Sequence, residues 1–150
     1  LYTLNVNIDN LERAFNDFVK EKENKVMKDV KVIAELIRDD IRENIMSSRK
    51  VPSGNIKKNT RATIKIKGSS TPLINTGQLY RSVSVRPITN GYEVYLGGDK
   101  NNEVAYYNSY DRTQDVIFGK KREKSITIPA RPFFGIRSKT KSDLKKILNG

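Results

Sequence analysis

The chain has 150 residues, with 29 Lys and Arg against 17 Asp and Glu and a formal net charge of +12, a length that fits one domain with a core of its own. It contains no cysteine and no histidine, which excludes disulfides and thiolate metal sites and removes the commonest general acid–base and the commonest zinc ligand. Apolar residues make up only 36% and charged residues 31%, so part of the surface is expected to be solvated or completed by a partner.

In chain order, Tyr2, Leu4, Val6 and Ile8 alternate weakly and suggest a short strand over 2–8. Asp9 followed by Glu12 is a capping-box pattern that opens a helix. From there Leu11, Phe15, Phe18, Val26, Val30, Ile33, Ile37, Ile41 and Ile45 recur at steps of three and four, with an interruption at Lys20–Lys25. The spacing predicts a helix over 10–46, bent or broken near Glu23-Asn24 if not continuous. Unbroken, it would run about 54 Å at 1.5 Å per residue, longer than a compact domain of this size. Part of the stripe is therefore expected to pack on a sheet and part to meet a neighbouring subunit.

Ser47–Gly54 reads as a loop, and 47–60 as a stretch that orders on assembly. Ala62, Ile64 and Ile66 alternate with Thr63, Lys65 and Lys67, which predicts a half-buried strand over 61–67 with a basic outer face. Pro72-Leu73-Ile74-Asn75-Thr76-Gly77-Gln78-Leu79-Tyr80-Arg81-Ser82 follows. Asn75 or Thr76 can cap a brief helical turn there, Gly77 can take positive φ, and Leu73, Ile74, Leu79 and Val83 are left to pack. Strands over 82–88 and 92–97, joined at Thr89-Asn90-Gly91, carry the strongest short hairpin signal in the chain. Glu103–Tyr110 fits a strand or one or two helical turns equally well. The basic segment 111–124 reads as an exposed, mobile loop, 125–128 as a short strand, and Ser142, Leu144, Ile147 and Leu148 as a short terminal helix. No internal repeat is visible.

No apolar run approaches the roughly 20 residues that span a bilayer, and Leu1-Tyr2-Thr3-Leu4 lacks the features of a signal peptide. A soluble, non-secreted protein is the expectation. The predicted architecture is a single α+β domain over 1–150. Its long N-terminal helix packs on a small, mostly antiparallel sheet (61–67, 82–88, 92–97 and 125–128) within a region extending to 136, and a protruding loop and a short C-terminal helix complete it.

Two segments together carry a family resemblance. Pro72-Leu73-Ile74-Asn75-Thr76-Gly77-Gln78-Leu79-Tyr80-Arg81-Ser82 resembles the P-L-[ILV]-x-T-G-x-L-x-x-S box of the Mu-like phage virion morphogenesis proteins and related tail-completion (neck) proteins of tailed phages. About fifty residues on, Ile128-Pro129-Ala130-Arg131-Pro132-Phe133-Phe134-Gly135 resembles their I-P-A-R-P-F-L-G box. The likeness covers roughly 72–136. It departs at Val104-Ala105-Tyr106-Tyr107-Asn108-Ser109-Tyr110, where family members often carry Tyr-Ala and an Ile-His-Gln/Glu stretch, which argues for a distant branch. The resemblance implies a structural protein, made in the host cytoplasm and built into the virion, with no enzymatic activity and no cofactor. It would form a ring, commonly six-fold, at the neck or tail end, touching head–tail connector and tail proteins while DNA passes through. It marks Pro72, Leu73, Thr76, Gly77, Leu79, Ser82, Pro129, Arg131, Pro132, Phe133, Phe134 and Gly135 as assembly residues.

Read on their own chemistry, the same residues give narrower expectations. Arg131, flanked by prolines on an extended segment, suits a bidentate pair with a carboxylate of its own chain or a neighbour. Phe133 and Phe134 suit a core more than an interface. Lys120, Lys121, Arg122 and Lys124 form a basic run, usually a solvated loop and otherwise a contact for DNA or an acidic partner surface. Lys57, Lys58, Arg61, Lys65 and Lys67 form a second basic set. Neither is interleaved with aromatics as in single-strand binders. Asp39 and Glu43 share a helix face, where neighbouring Arg38 and Arg42 favour salt bridges over a metal. Gly97-Gly98 lacks the Lys-Ser/Thr of a phosphate loop, and no catalytic or metal site is predicted. An alternative of a different class is a basic, sequence-independent nucleic-acid-binding accessory protein. A small hydrolase would need a carboxylate pair roughly 5–9.5 Å apart in a cleft.

Overall fold

The computed structural model describes residues 8–118 and 122–149; the strand expected over 2–8 lies almost wholly outside them. Helix α1 (Ile8–Met46) is unbroken over its 39 residues, so the Lys20–Lys25 interruption of the stripe does not break it. The backbone ladder needs no apolar side chain at that turn, and Lys22 covers the gap by resting its ammonium 5.2 Å from the Phe18 ring centre. The helix ends where Ser48 enters the left-handed region (φ 53) and Arg49 N donates back to Asn44 O at 2.9 Å, a six-to-one closure that satisfies a terminal carbonyl.

Segment 61–67 is a helix, α2 (Arg61–Lys67), and corrects the expected strand. Its ends decide the matter. Thr60 accepts from Thr63 N, and Gly68 takes φ 74 with its N–H on Ile64 O, a cap pair that closes a short helix at both ends. The alternation of Ala62, Ile64 and Ile66 has no sheet to face, and Ile66 is 90% exposed. Helix α3 (Gln78–Ser82) follows Gly77, whose φ of 75 is the positive value expected of it. The chain then turns straight into β1 (Val83–Ile88), which pairs antiparallel with β2 (Gly91–Leu96) in the register Val83↔Leu96 to Ile88↔Gly91. The hairpin stands as expected, although neither Thr89 nor Asn90 takes positive φ.

Helix α4 (Asp99–Asn108) settles the ambiguous stretch as helical. The expected mobile loop is instead the larger part of a second hairpin, β3 (Arg112–Phe118) with β4 (Arg122–Ile128). Its alternation was masked by charge: Arg122, Lys124 and Asp115 occupy ladder positions whose backbone pairs irrespective of side chain. Among the described residues there are thus two separate two-stranded sheets, in place of the expected single four-stranded one. Helix α5 (Ser138–Asn149) closes the described chain. The α+β class, with a long N-terminal helix packed on a small antiparallel sheet and a short C-terminal helix, is as the sequence suggests.

The core lies at the C-terminal end of α1. Ile41 and Ile45 meet Leu73 and Leu79 of the first box, Val83 and Leu96 of the β1–β2 hairpin, Ile56, and Phe133 of the second box. Asn44 is fully buried among them, its Nδ2 donating to Phe133 O at 3.0 Å and Gly135 O at 3.4 Å. Arg42 reaches Val83 O at 2.8 Å and lies over the Tyr80 ring. Asp40 accepts from Thr140 Oγ1 at 2.8 Å and Arg137 N at 3.2 Å, which fastens the start of α5. One helical segment therefore organises the box, the hairpin and the C-terminal region. Segment 47–56 is likewise held in place: Ile56 N donates to Ser48 O, Val51 N to Pro132 O, and Ser138 N to Pro52 O. It is a bracket for the second box, with its own order.

Candidate functional site

The two boxes, about fifty residues apart in sequence, converge on one cleft of about 510 Å3. Its floor is Pro72, Leu73 and Leu79, with Asn75, Thr76, Gly77 and Gln78 along one wall. Helix α4 supplies Lys100, Asn101, Val104, Tyr107 and Asn108, the base of β3 supplies Arg112, the end of α2 supplies Lys67, and the second box supplies Arg131. Four cations thus border one space, and the described lining contains no carboxylate.

Each cation is placed by local backbone logic. Lys67 is the last residue of α2, and its ammonium caps Pro72 O across the Gly68–Thr71 turn. Desolvation pushes its pKa below the ordinary lysine value, and the nearby Arg131 guanidinium adds to that shift. Arg131 is fixed through its backbone, N–H to Asn108 O at 2.7 Å, while the preceding Ala130 N donates to Asp111 Oδ1. Among the described residues Arg131 forms no ion pair, so the carboxylate partner expected for it is not within its own described chain. Arg112 stacks 5.6 Å from the Tyr107 ring centre, and its buried Nε has no hydrogen-bond partner among the described residues. A cleft bordered by one sign of charge focuses an attractive potential on anions.

The remaining predicted site residues divide clearly. Ser82 turns its hydroxyl to Leu79 O at 2.7 Å, and its carbonyl accepts from Gly97 N; it is a hinge of the α3–β1 turn. In the second box Pro129 is exposed, Pro132 is half-buried, Phe133 is a core residue at 1% exposure as expected, Phe134 at 41% exposure corrects the core placement expected for it, and Gly135 accepts from Asn44. Lys120 and Lys121 lie outside the described residues. Arg122 and Lys124 belong to β4, opposite Phe118 and Val116. Of the second basic set, Lys67 enters the cleft, whereas Lys57, Lys58, Arg61 and Lys65 stay exposed. Asp39 pairs with Arg38 at 2.8 Å, and Glu43 with Arg49 at 3.3 Å. These carboxylates are therefore tied into surface ion pairs, although Arg42 is not the partner it was expected to be. Lys100, Asn101, Tyr107, Asn108 and Arg112 were not foreseen. Their signal is positional only, because they gather once 99–108 is known to be a helix.

A second feature lies at the other end of α1. From Leu11 to Asp29 every residue is exposed except the half-buried Val19. Phe15 and Phe18 are 64% and 54% exposed, and Ile8, Leu11, Ala14 and Phe15 with Phe18 border a shallow apolar groove. Tyr106, Tyr107 and Tyr110 form an exposed edge-to-face aromatic group beside the cleft. No described helix is long and apolar enough to cross a membrane. Comparison with family models, curated proteins and solved structures gives no match.

Proposed function

We propose that the chain is a structural subunit of a phage neck or tail end, assembling with copies of itself into a ring that completes the tail and joins it to the head. The phage assignment rests on the resemblance of the two boxes. The observation that carries the assembly reading is the uncovered apolar face of α1, from Ile8 to Val26. A cyclic ring uses heterologous contacts, so each subunit carries two different surfaces that a monomer would otherwise hide. The helical arm is one such surface. The resemblance adds a ring of commonly six copies, contact with connector and tail proteins, DNA running through the centre without sequence reading, and a role that requires no catalysis.

Light scattering on the size-excluded protein tests self-assembly, with a defined oligomer expected for the native chain and monomer for Phe15→Asp/Phe18→Asp. Deletion of the gene from the phage tests the role, with unjoined heads and tails expected in negative-stain images; particles that join normally without the protein exclude it. The second reading, a free nucleic-acid-binding protein, is favoured by the exposed, unpaired Lys57, Lys58, Arg61 and Lys65 among the described residues. It predicts a monomer whose DNA affinity falls steeply with salt.

A further inference from the structure

The cleft between the two boxes has chemistry of its own. Lys67, Lys100, Arg112 and Arg131 border it without a carboxylate among the described lining residues. Bringing like charges together raises the energy of the empty site; burial first, and the Arg131 charge second, hold the Lys67 pKa below its ordinary value. An arriving anion would relieve the repulsion. The amides add direction: Asn101 spends its Nδ2 on Gly97 O at 2.6 Å and Asn108 spends its own on Val104 O at 2.7 Å. The oxygen of each side chain is left to accept. A site that offers cationic donors together with amide acceptors matches a chain that carries both carboxylates and N–H groups. A phosphodiester backbone supplies anionic oxygens but no N–H of its own, whereas a peptide backbone carries an N–H at nearly every residue. The apolar floor of Leu73 and Leu79 suits an aliphatic side chain between the acids, and the volume holds a short segment.

From this we infer that the cleft is a docking site for an acidic peptide segment of a partner protein, with Arg131 as the residue that grips its carboxylate. The backbone of Arg131 is already fixed on Asn108 O, so binding has only its side chain left to order. The inference is independent of self-assembly: a strictly monomeric protein that binds the peptide loses the ring and keeps the docking site.

The test is a titration of the full chain with a capped, fluorescent peptide alternating glutamate and leucine, alongside inorganic phosphate and a labelled oligo-dT strand. Saturable, salt-sensitive peptide binding is expected. Arg131→Gln and, separately, Lys100→Gln should weaken it roughly tenfold or more, as for loss of one partner of a close charge pair. Lys57→Gln, outside the cleft, should leave it unchanged. Arg131→Gln removes a like charge beside Lys67, so its thermal midpoint should not fall, which separates a lost contact from a lost fold; Lys100→Gln, at an exposed position, gives the same reading should Arg131→Gln fail to fold. Peptide affinity indifferent to both substitutions overturns the inference. So does oligo-dT or phosphate binding that depends on Arg131 while the peptide does not bind, which would make the cleft a phosphate groove.

Discussion

The two halves of α1 carry apolar stripes of the same period, separated at Lys20–Lys25, and meet opposite fates. From Val30 to Ile45 the stripe faces the β1–β2 hairpin and both boxes, and Ile41 and Ile45 are all but inaccessible. From Ile8 to Val26 residues of the same periodicity stand in solvent. The boundary is marked by Gly91 at the hairpin turn, where a Cβ would meet Val30 Cγ1 at 3.7 Å. Periodicity thus establishes that a segment is helical and which face wants cover, but says nothing about what supplies the cover. In the C-terminal half the chain covers itself. In the N-terminal half, among the described residues, the chain supplies no such cover.

The sharpest way to break this contrast is truncation in each half. Ile41→Ala or Ile45→Ala should destabilise the fold by about 2–5 kcal/mol, read as a shift in the denaturant midpoint. Phe15→Ala and Phe18→Ala should leave the stability of the monomer within about 0.5 kcal/mol while shifting the mass measured by light scattering. Equal losses in both halves would mean that the arm packs on its own subunit. Next in size, Asn44→Ala should cost about 1–3 kcal/mol, because the buried Phe133 carbonyl and the half-buried Gly135 carbonyl of the second box lose their donor. Asp40→Ala should cost about 1 kcal/mol and speed amide exchange at the start of α5 without touching β1 and β2, since it frees only Thr140 and Arg137 N. The smallest effect is that of Lys67. Between its lowered pKa and the ordinary lysine value the unfolded chain holds the proton more tightly than the folded one, so stability should rise with pH through that window. Lys67→Met should flatten the rise, measured as the difference between the two proteins' alkaline titrations of thermal midpoint.

The same contrast explains what was legible beforehand. The long helix, the β1–β2 hairpin and the α3 turn rest on signals confined to a few neighbouring residues: a stripe, an Asn-Gly pair, a glycine at positive φ. Segment 61–67 shows the limit, because alternation over seven residues fits a strand until Thr60 and Gly68 are weighed as caps. Segment 111–124 departs for the opposite reason, while the strand expected over 125–128 stands as part of β4: charge suggests a solvated loop, whereas antiparallel pairing is a backbone property that tolerates Arg and Lys on a ladder. Of the cleft, the box residues and Lys67 were singled out but not their meeting. That depends on contacts such as Arg131 N to Asn108 O, between residues with no shared local pattern. Asn44 reads in sequence as a polar neighbour of Ile45; only the fold makes it the tie between helix and second box.

The free stretch of α1 also behaves as a measuring rod. Between its tip and the hairpin turn lie about 33 Å of uncovered helix, at 1.5 Å per residue, and nothing in the core fixes that distance. Seven residues inserted there would carry the aromatic tip about 10 Å farther out and rotate it only about 20°, leaving the body as it is. The span between the tip and the body behind it can therefore be reset by small insertions in one exposed segment, with no repacking elsewhere.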